Sequence, residues 1–366
     1  MTMAAIDSFF DVLLSRKGSD LHLAVGRPPT LRARGGLVSF RAKPMDRGEL
    51  NGMLTELLST DQQHELDAEC DLDFAHAYED KARFRVSCFF RASADGVAAR
   101  ELAAVFRVVP TVIPTMAELS CPPAIQTLSE RRRGLVLVTG PTGSGKSTTL
   151  AAMVRHINET RACHVMTIED PIEFVHAPIK ASITQREIGK HAPSFAAAIR
   201  SAGREDADVI LIGELRTNET MKMALQLAAY GVLVFGTMHT NSAPSTIDRV
   251  VNAFPADEQP MVRGLLAASL VGVVAQQLLP TADGAGRVAA HEILLGSSAL
   301  SSLIREQKSF QIPSLMQAGQ NVGMQTMDMA LLRLVTAGKV TREAAVEKAQ
   351  DKDAFHRAAP GGPPKK

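Results

Sequence analysis

The sequence has no tryptophan, only two tyrosines and almost no excess of either charge. Its 40 Lys and Arg residues face 39 Asp and Glu residues, which leaves a formal net charge of +1. Proteins that bind nucleic acid without regard to sequence usually present a clearly basic domain, and often aromatic side chains on which bases stack. The composition supplies neither, so we expect no nucleic-acid partner.

Cysteine pairs and long apolar runs are also scarce. The four cysteines contain no CxxC pair, which argues against a zinc ribbon and against a disulfide framework and fits a reducing compartment. The first residues lack the basic segment that precedes the apolar run of a signal peptide. The apolar run after Arg263, GLLAASLVGVVAQQLLPTA, has about 16 convincingly apolar residues where a membrane span needs about 20. We interpret it as a buried core helix and predict a cytoplasmic protein.

The first 110 residues mix short helical and strand patterns. Within 83–88, Arg and Ser side chains alternate with apolar ones, which is typical of a sheet with one polar face. We therefore predict an N-terminal α+β domain over 1–110. Prolines recur from Pro110 to Pro123, and because proline stiffens a connection we place a linker at 111–117.

From residue 118 onward, short apolar runs alternate with helical patterns. The four clearest runs are 135–139, 164–168, 209–212 and 232–238. Near-continuous apolar runs are typical of parallel strands that are buried on both faces. The pattern predicts an α/β domain with a doubly wound, mostly parallel sheet over 118–353. We expect the part after about residue 255 to be mostly helical and the Pro/Gly-rich tail, 354–366, to be disordered.

The strongest local signal is GPTGSGKS, residues 140–147, which matches the phosphate-binding pattern G-x-x-x-x-G-K-[ST] in full. An apolar strand pattern precedes it and a helical pattern follows. Glycines let backbone N–H groups converge on phosphate oxygens, and the helix N-terminus adds partial positive charge. Lys146 should bridge the β- and γ-phosphates, and the Ser147 hydroxyl should bind Mg²⁺. The predicted nucleotide-binding residues are Gly140, Pro141, Thr142, Gly143, Ser144, Gly145, Lys146, Ser147 and Thr148.

Hydrolysis requires more than a phosphate loop, because a carboxylate must orient water and cations must meet the developing charge. Glu214 follows the strand pattern VILIG, and Glu169 begins an acidic cluster after HVMTI. His239 ends the fourth apolar run. For each acid alone, a solvated turn residue or a helix cap is the more common case, and for the histidine alone a packed or capping role is. Two acidic strand ends beside a phosphate loop favour the catalytic interpretation.

Several longer motifs occur in a fixed order around the phosphate loop. They are SDLHL, ARFRV, TIEDPIEFVH, REDADVILIGELR, GTMHTNSAPSTIDRVVNAFP, GRVAAHEIL and GMQTMD. Together they resemble the secretion-type ATPases of the type II/IV secretion superfamily, over residues 1 to about 353. The most similar subgroup is the PilT-type (PilT and PilU) pilus retraction ATPases.

The resemblance implies a role for three residues of the second domain. Glu214 matches the Walker B glutamate, which activates the attacking water. Glu169 matches an acid near the metal and the γ-phosphate, and is thus a second candidate for binding Mg²⁺, directly or through water. His239 matches a histidine that contacts the γ-phosphate.

The resemblance also assigns roles to four arginines. Arg85 and Arg107 match N-domain arginines that close over the nucleotide like arginine fingers. Arg200 and Arg204 match a pair near the subunit interface. Guanidinium groups suit bidentate phosphate contact, but from the spacing alone a solvated surface charge is the more common case for each.

The architecture that the resemblance implies is a homohexameric ring with a PAS-like N-domain and a RecA-like ATPase domain. ATP hydrolysis would move the domains and pass that motion to a polytopic inner-membrane platform protein. The ring would be cytoplasmic and peripherally associated with the inner membrane, with a second retraction ATPase as a further candidate partner. The expected function is a motor that hydrolyses ATP to retract type IV pili in twitching motility.

Some segments depart from the family pattern. A tetracysteine zinc module is missing, which favours the retraction subgroup. Retraction members usually carry AIRNLIRE where this chain has ALSSLIRE, 299–306, and about nine residues near 94–102 look inserted. Two alternatives therefore stay open: an accessory paralogue with another task, and an ATP-binding ring with little turnover. A DNA recombinase with the same core fold is disfavoured by the composition.

Overall fold

The computed structural model of the chain describes residues 5–33, 36–79, 81–93, 100–109, 112–284 and 286–358. Its internal contacts divide the chain into two units, Met1–Val112 and Ile113–Lys366, called unit 1 and unit 2 below. The division falls inside the segment predicted as a linker.

Unit 1 is built on a six-stranded sheet in which every pair of neighbours is antiparallel. The strands are β1 (Asp20–Ala24), β2 (Thr30–Ala33), β3 (Gly36–Ser39), β4 (Asp71–Tyr78), β5 (Ala82–Arg91) and β6 (Glu101–Val109), in the order β3-β2-β1-β6-β5-β4. The helices among its described residues are α1 (Asp7–Ser15), α2 (Arg47–Leu57) and α3 (Thr60–Glu69).

The core of unit 1 lies on one face of this sheet. On β5, Phe84, Val86 and Cys88 are buried, whereas the intervening residues are partly exposed. The polar, arginine-rich face predicted from the alternation over 83–88 is therefore present. Helix α1 covers the apolar face with Phe10, whose ring stacks on Phe84 at 4.2 Å between centroids and meets Phe106 edge-on at 5.3 Å.

Unit 2 contains a seven-stranded sheet. Its strands are β7 (Gly134–Thr139), β8 (His164–Glu169), β9 (Ser182–Glu187), β10 (Val209–Ile212), β11 (Leu233–Met238), β12 (Leu270–Pro280) and β13 (Arg287–Leu295), in the order β13-β12-β7-β11-β10-β8-β9. All neighbours are parallel except β12 and β13, which are antiparallel. The predicted α/β class with a mostly parallel sheet is confirmed.

Successive side chains of the central strands enter two different cores. Leu135 and Leu137 of β7 pack in one apolar cluster, and Val136 and Val138 pack in the other. Both faces of the sheet are therefore covered, as the near-continuous apolar runs predict. The helices of unit 2 are α4 (Pro123–Ser129), α5 (Lys146–Thr160), α6 (Phe195–Ala202), α7 (Asn218–Ala229), α8 (Ala243–Asn252), α9 (Gln259–Ser269), α10 (Ser298–Arg305), α11 (Ile312–Ala318), α12 (Met327–Thr336), α13 (Arg342–Lys348) and α14 (Lys352–Ala358), with short 3₁₀ turns at Ser309–Gln311 and Gln320–Val322.

Two sequence-based expectations about the C-terminal part are wrong. The apolar run after Arg263 is not one buried helix, because α9 ends at Ser269 and β12 begins at Leu270. The second half, LVGVV, is rich in β-branched valine, which loses rotamer freedom in a helix and packs well on a sheet. The expected tail also begins later than predicted, since α14 extends to Ala358 and buries Phe355; residues 359–366 lie outside the described residues.

Within the described ranges, no helix is both long enough and apolar enough to cross a bilayer.

The aromatic packing of unit 1 gives a stability prediction. Phe10→Ala should lower the free energy of unfolding by about 3–5 kcal/mol, because it leaves a cavity between α1 and the sheet. Urea unfolding followed by circular dichroism would measure it. Leu37→Ala is the matched control, because Leu37 is 56% exposed on β3 of the same unit. Equal effects of the two substitutions would contradict this account of the core.

Candidate nucleotide-binding site

Four parallel strands end at the same edge of the unit 2 sheet. Ile168 of β8 pairs with Ile212 of β10, Ile212 with Gly236 of β11, and Gly236 with Leu137 of β7. The strand ends are therefore aligned, and the residues that follow them share one edge. That edge carries Glu169, Glu214, His239 and the start of the phosphate loop. This is the edge at which open α/β sheets bind ligands.

The phosphate loop connects β7 to α5 and requires glycine at specific positions. Gly140, Gly143 and Gly145 have φ angles of 144°, 77° and 87°, which other residues rarely adopt. A Cβ on Gly140 would lie 2.3 Å from the carbonyl oxygen of Gln276. The loop then runs into the N-terminus of α5, which is 15 residues long. A glycine cradle at the start of such a helix fits a polyphosphate.

Lys146 lies over this loop and is 9% exposed. Its Nζ donates to the carbonyl oxygens of Gly140, at 2.8 Å, and Pro141, at 3.1 Å. Burial lowers the pKa of the ammonium group, while the negative charge of Glu214 acts in the opposite direction. The cation is thus held beside the residues that would surround a phosphate.

Glu214 lies in the turn after β10 and contacts two cationic or potentially cationic groups. Its Oε1 lies 2.8 Å from Nε of Arg216 and 3.4 Å from Nε2 of His239. Burial raises the pKa of Glu214, but the hydrogen bond and charge of Arg216, together with His239, outweigh it and lower the net pKa. The carboxylate is therefore ionised at neutral pH, which a water-activating base requires.

Glu169, at the end of β8, has a different environment. Its carboxylate accepts hydrogen bonds from the backbone N–H of Glu173, at 3.3 Å, and from Nε2 of Gln185, at 3.5 Å. Burial raises the pKa of this carboxyl group. Its strand end lies close to the Glu214 turn, since a Cβ on Gly213 would be 3.3 Å from the Cα of Glu169.

The donor set at this edge suits Mg²⁺ bound together with a nucleotide. Across the residues that the structure describes, no group of three or more His, Cys, Asp or Glu side chains could hold a metal ion. Ser147 is exposed, and its hydroxyl makes no hydrogen bond to a described residue. Because Mg²⁺ prefers oxygen ligands and retains several waters, this hydroxyl, a nearby carboxylate and phosphate oxygens would supply what it needs.

Arg85 and Arg107, the two arginines of unit 1 that are predicted to contact the nucleotide, lie side by side on its sheet. In the strand register, Arg85 on β5 lies opposite Arg107 on β6. Arg107 in turn lies opposite Asp20 on β1, and Asp20 lies opposite Arg32 on β2. Asp20 Oδ1 accepts from Nε of Arg107 at 2.8 Å, and its Oδ2 lies 3.9 Å from Arg32. Arg85 lies 3.6 Å from Asp73.

Asp20 thus fixes one edge of the Arg107 guanidinium, while 67% of the arginine side chain stays exposed. Burial raises the pKa of Asp20, but hydrogen bonds from Arg107 and Ser19 outweigh it and lower the net pKa. The sequence motif SDLHL contains Asp20, but the sequence alone assigned this residue no role. Its position before an apolar strand was the only signal available.

Arg200 and Arg204 lie at and just after the C-terminal end of α6. Arg200 donates to Oε1 of Glu219 on α7 at 3.0 Å, and Arg204 donates to the backbone carbonyl of Arg200 at 3.3 Å. Both side chains are exposed. In the described part of the chain, neither makes a hydrogen bond to the phosphate loop, so their predicted nucleotide role stays a prediction.

Sequence reasoning missed three residues that shape the site. Arg216 pairs with Glu214, Gln185 contacts Glu169, and Gln276 contacts the phosphate loop. Arg216 lies two residues after Glu214 and was within reach of sequence reasoning. For Gln276 the signal was weaker: it is one of two adjacent glutamines in a mainly apolar run.

These features define an α/β ATPase of the phosphate-loop class, and comparisons with known proteins identify its family. The family model described as type II/IV secretion system protein matches residues 76–325, more than half of the chain. A twitching motility protein of Neisseria gonorrhoeae is 48% identical over 327 residues, covering 89% of this chain and 86% of its own. The chain belongs to the type II/IV secretion system protein family.

Two relatives from Pseudomonas aeruginosa represent the PilT and the PilU subgroups of type IV pilus ATPases. The type IV pilus retraction ATPase PilT is 46% identical over 337 residues, covering 92% of this chain and 96% of its own. The type IV pilus ATPase PilU is 36% identical over 335 residues, covering 92% and 86%. A crystal structure of the pilus retraction motor PilT with bound ADP is 40% identical, covers 96% of this chain and 99% of its own, and superposes with a TM-score of 0.88. The predictions of a PilT-type retraction ATPase and of an ATP hydrolase are confirmed.

The Asp20 contact predicts a pH-dependent stability. Because the pKa of Asp20 is lowered in the folded state, its contribution is present above its unfolded pKa of about 3.9 and is lost as the pH falls through the folded pKa. Asp20→Ala should cost about 1–2 kcal/mol at pH 7 and much less at an acid pH below the folded pKa of Asp20. Urea unfolding at both pH values measures this. Asp61→Ala, at an exposed position of α3, is the control, and a pH-independent loss in Asp20→Ala would refute the assignment.

Proposed function

We propose that this chain assembles into a homohexameric ring that hydrolyses MgATP to retract type IV pili. The observation that carries the proposal is the alignment of four strand ends, which places Glu214 and His239 at the same edge as the phosphate loop. The bound ADP in the 40% identical retraction motor supports nucleotide binding at the corresponding site.

In the proposed mechanism the loop from Gly140 to Thr148 holds the triphosphate through its backbone N–H groups and the α5 N-terminus. Lys146 moves from the carbonyl oxygens it contacts to the β- and γ-phosphates. The Ser147 hydroxyl would hold Mg²⁺, and Glu169 would support the metal directly or through water. Mg²⁺, when bound, neutralises charge that develops on the phosphate oxygens.

Glu214 is the proposed general base that orients and activates the attacking water. Its ionised state follows from the Arg216 contact. Its Oε1 lies 3.4 Å from His239 Nε2, so a movement of either side chain would affect the other. His239 is proposed to contact the γ-phosphate. Loss of that phosphate would then change the His239–Glu214 contact, which is a simple way to couple hydrolysis to movement.

Further cations are proposed to come from arginines. Arg107 is exposed and Arg85 is partly exposed on the sheet of the PAS-like domain, 1–110, and Arg107 is oriented by Asp20. In the assembled ring they would close over the nucleotide bound to the RecA-like domain, 118–353. Arg200 and Arg204 would act near the interface between subunits.

The proposed partners follow from the retraction function. A polytopic inner-membrane platform protein would receive the motion, which would make the cytoplasmic ring a peripheral component at the membrane, and a second retraction ATPase could act with it. The higher identity to PilT than to PilU, 46% against 36%, favours the primary motor. The alternative is an accessory paralogue, which the Ser301 and Ser302 departure in ALSSLIRE leaves open.

Two substitutions test the proposed chemistry. Glu214→Gln should retain ATP binding and lower turnover by at least about 100-fold, since general-base assistance contributes about 10²–10⁴-fold. Lys146→Ala should abolish nucleotide binding, because it removes the cation over the loop. Glu258→Gln is the matched control, since Glu258 pairs with Lys222 on the surface. Steady-state phosphate release and the binding of ATP and ADP are the measurements. Wild-type turnover in Glu214→Gln would rule out its role as the base.

A further inference from the structure

A buried glutamine lies against the phosphate loop. Gln276 belongs to β12, whose Ala275 pairs with Thr139 at the end of β7. The next residue along β12 is therefore beside Gly140, the first residue of the loop. Gln276 is 2% exposed, and a buried amide requires partners for both its donor and its acceptor.

Both partners belong to the nucleotide-binding element. Nε2 of Gln276 donates to the carbonyl oxygen of Ser144 at 2.6 Å, and its Oε1 accepts from the Thr149 hydroxyl at 2.8 Å. The Ser144 carbonyl determines the orientation of the amide, because a flipped amide would place two acceptor oxygens together. One side chain thus joins the loop to the first turn of α5.

The loop also packs closely on this residue. A Cβ on Gly140 would lie 2.3 Å from the Gln276 carbonyl oxygen, and a Cβ on Gly145 would lie 2.9 Å from its Nε2. Two glycines of the phosphate-binding motif are therefore required in part because Gln276 occupies the adjacent space. The loop has contacts with Gln276 at both of its ends.

We propose that Gln276 is a positioning residue that sets the shape of the phosphate loop for nucleotide binding. In a trans peptide the N–H points opposite to the C=O. When Gln276 holds the Ser144 carbonyl, it fixes the direction of the Gly145 N–H, which is one of the backbone donors of the cradle. The inference rests on the proposed nucleotide site, but it concerns binding and not hydrolysis.

Other side chains of similar size cannot replace this function. Methionine fills the same space but neither donates to Ser144 nor accepts from Thr149. Glutamate accepts from Thr149, but its second oxygen would face the Ser144 carbonyl and add negative charge beside the anion site. Only an amide of this length supplies one donor and one acceptor at these two distances.

The test uses the full chain, with ADP binding and steady-state MgATP hydrolysis measured on the same samples. Gln276→Met should raise the Kd for ADP and the KM for ATP about tenfold. This change corresponds to about 1.4 kcal/mol, which is the expected cost of losing the hydrogen bonds to the loop. The kcat should change less than about threefold. Gln277→Met is the control, because Gln277 is the next residue of β12 and is only partly buried. An unchanged Kd in folded Gln276→Met, or an equal rise in Gln277→Met, would overturn the proposal.

A second variant guards against a folding defect. Thr149→Val removes one of the two hydrogen bonds and should raise the Kd for ADP about threefold. The double variant should bind ADP no more weakly than Gln276→Met, because both substitutions remove the same contact. Additive effects would contradict the inference. A wild-type chain that binds ADP but does not hydrolyse ATP would refute the proposed function and leave this test intact.

Discussion

The site depends on the in-register parallel pairing of β8, β10, β11 and β7. This pairing aligns the four strand ends, so that residues as far apart in sequence as Gly140 and His239 meet at one edge. No helix or loop alone brings Glu214, His239 and the phosphate loop together. A one-residue slip of β10 would turn each of its side chains toward the opposite face and move Glu214 away.

Two carboxylates at this edge have different surroundings, which shift their pKa values in opposite directions. Arg216 and His239 lower the pKa of Glu214, whereas burial raises the pKa of Glu169. Environments that separate two acids in this way usually separate their roles. A carboxylate that stays ionised suits the proposed water activation, and a partly buried acid beside it suits the proposed support of a metal ion, whose charge would favour the ionised form of that acid.

Sequence reasoning found the parts whose signal is local. The phosphate loop, Glu214 and the apolar central strands each follow from a short pattern. It mistook β12 for part of a buried helix, because a buried strand and a buried helix share the same apolar composition. It assigned no role to Asp20 or Gln276, whose partners Arg107 and Ser144 lie 87 and 132 residues away. Such contacts exist only once the sheets have formed.

The most direct test of the account is the MgATP hydrolysis rate of the purified chain, with the oligomer mass read by light scattering on the same samples. We predict turnover that requires Mg²⁺ and that is found in the species of six chains. Turnover that persists without a divalent cation, or a six-membered ring that binds ATP and releases no phosphate, would contradict the account.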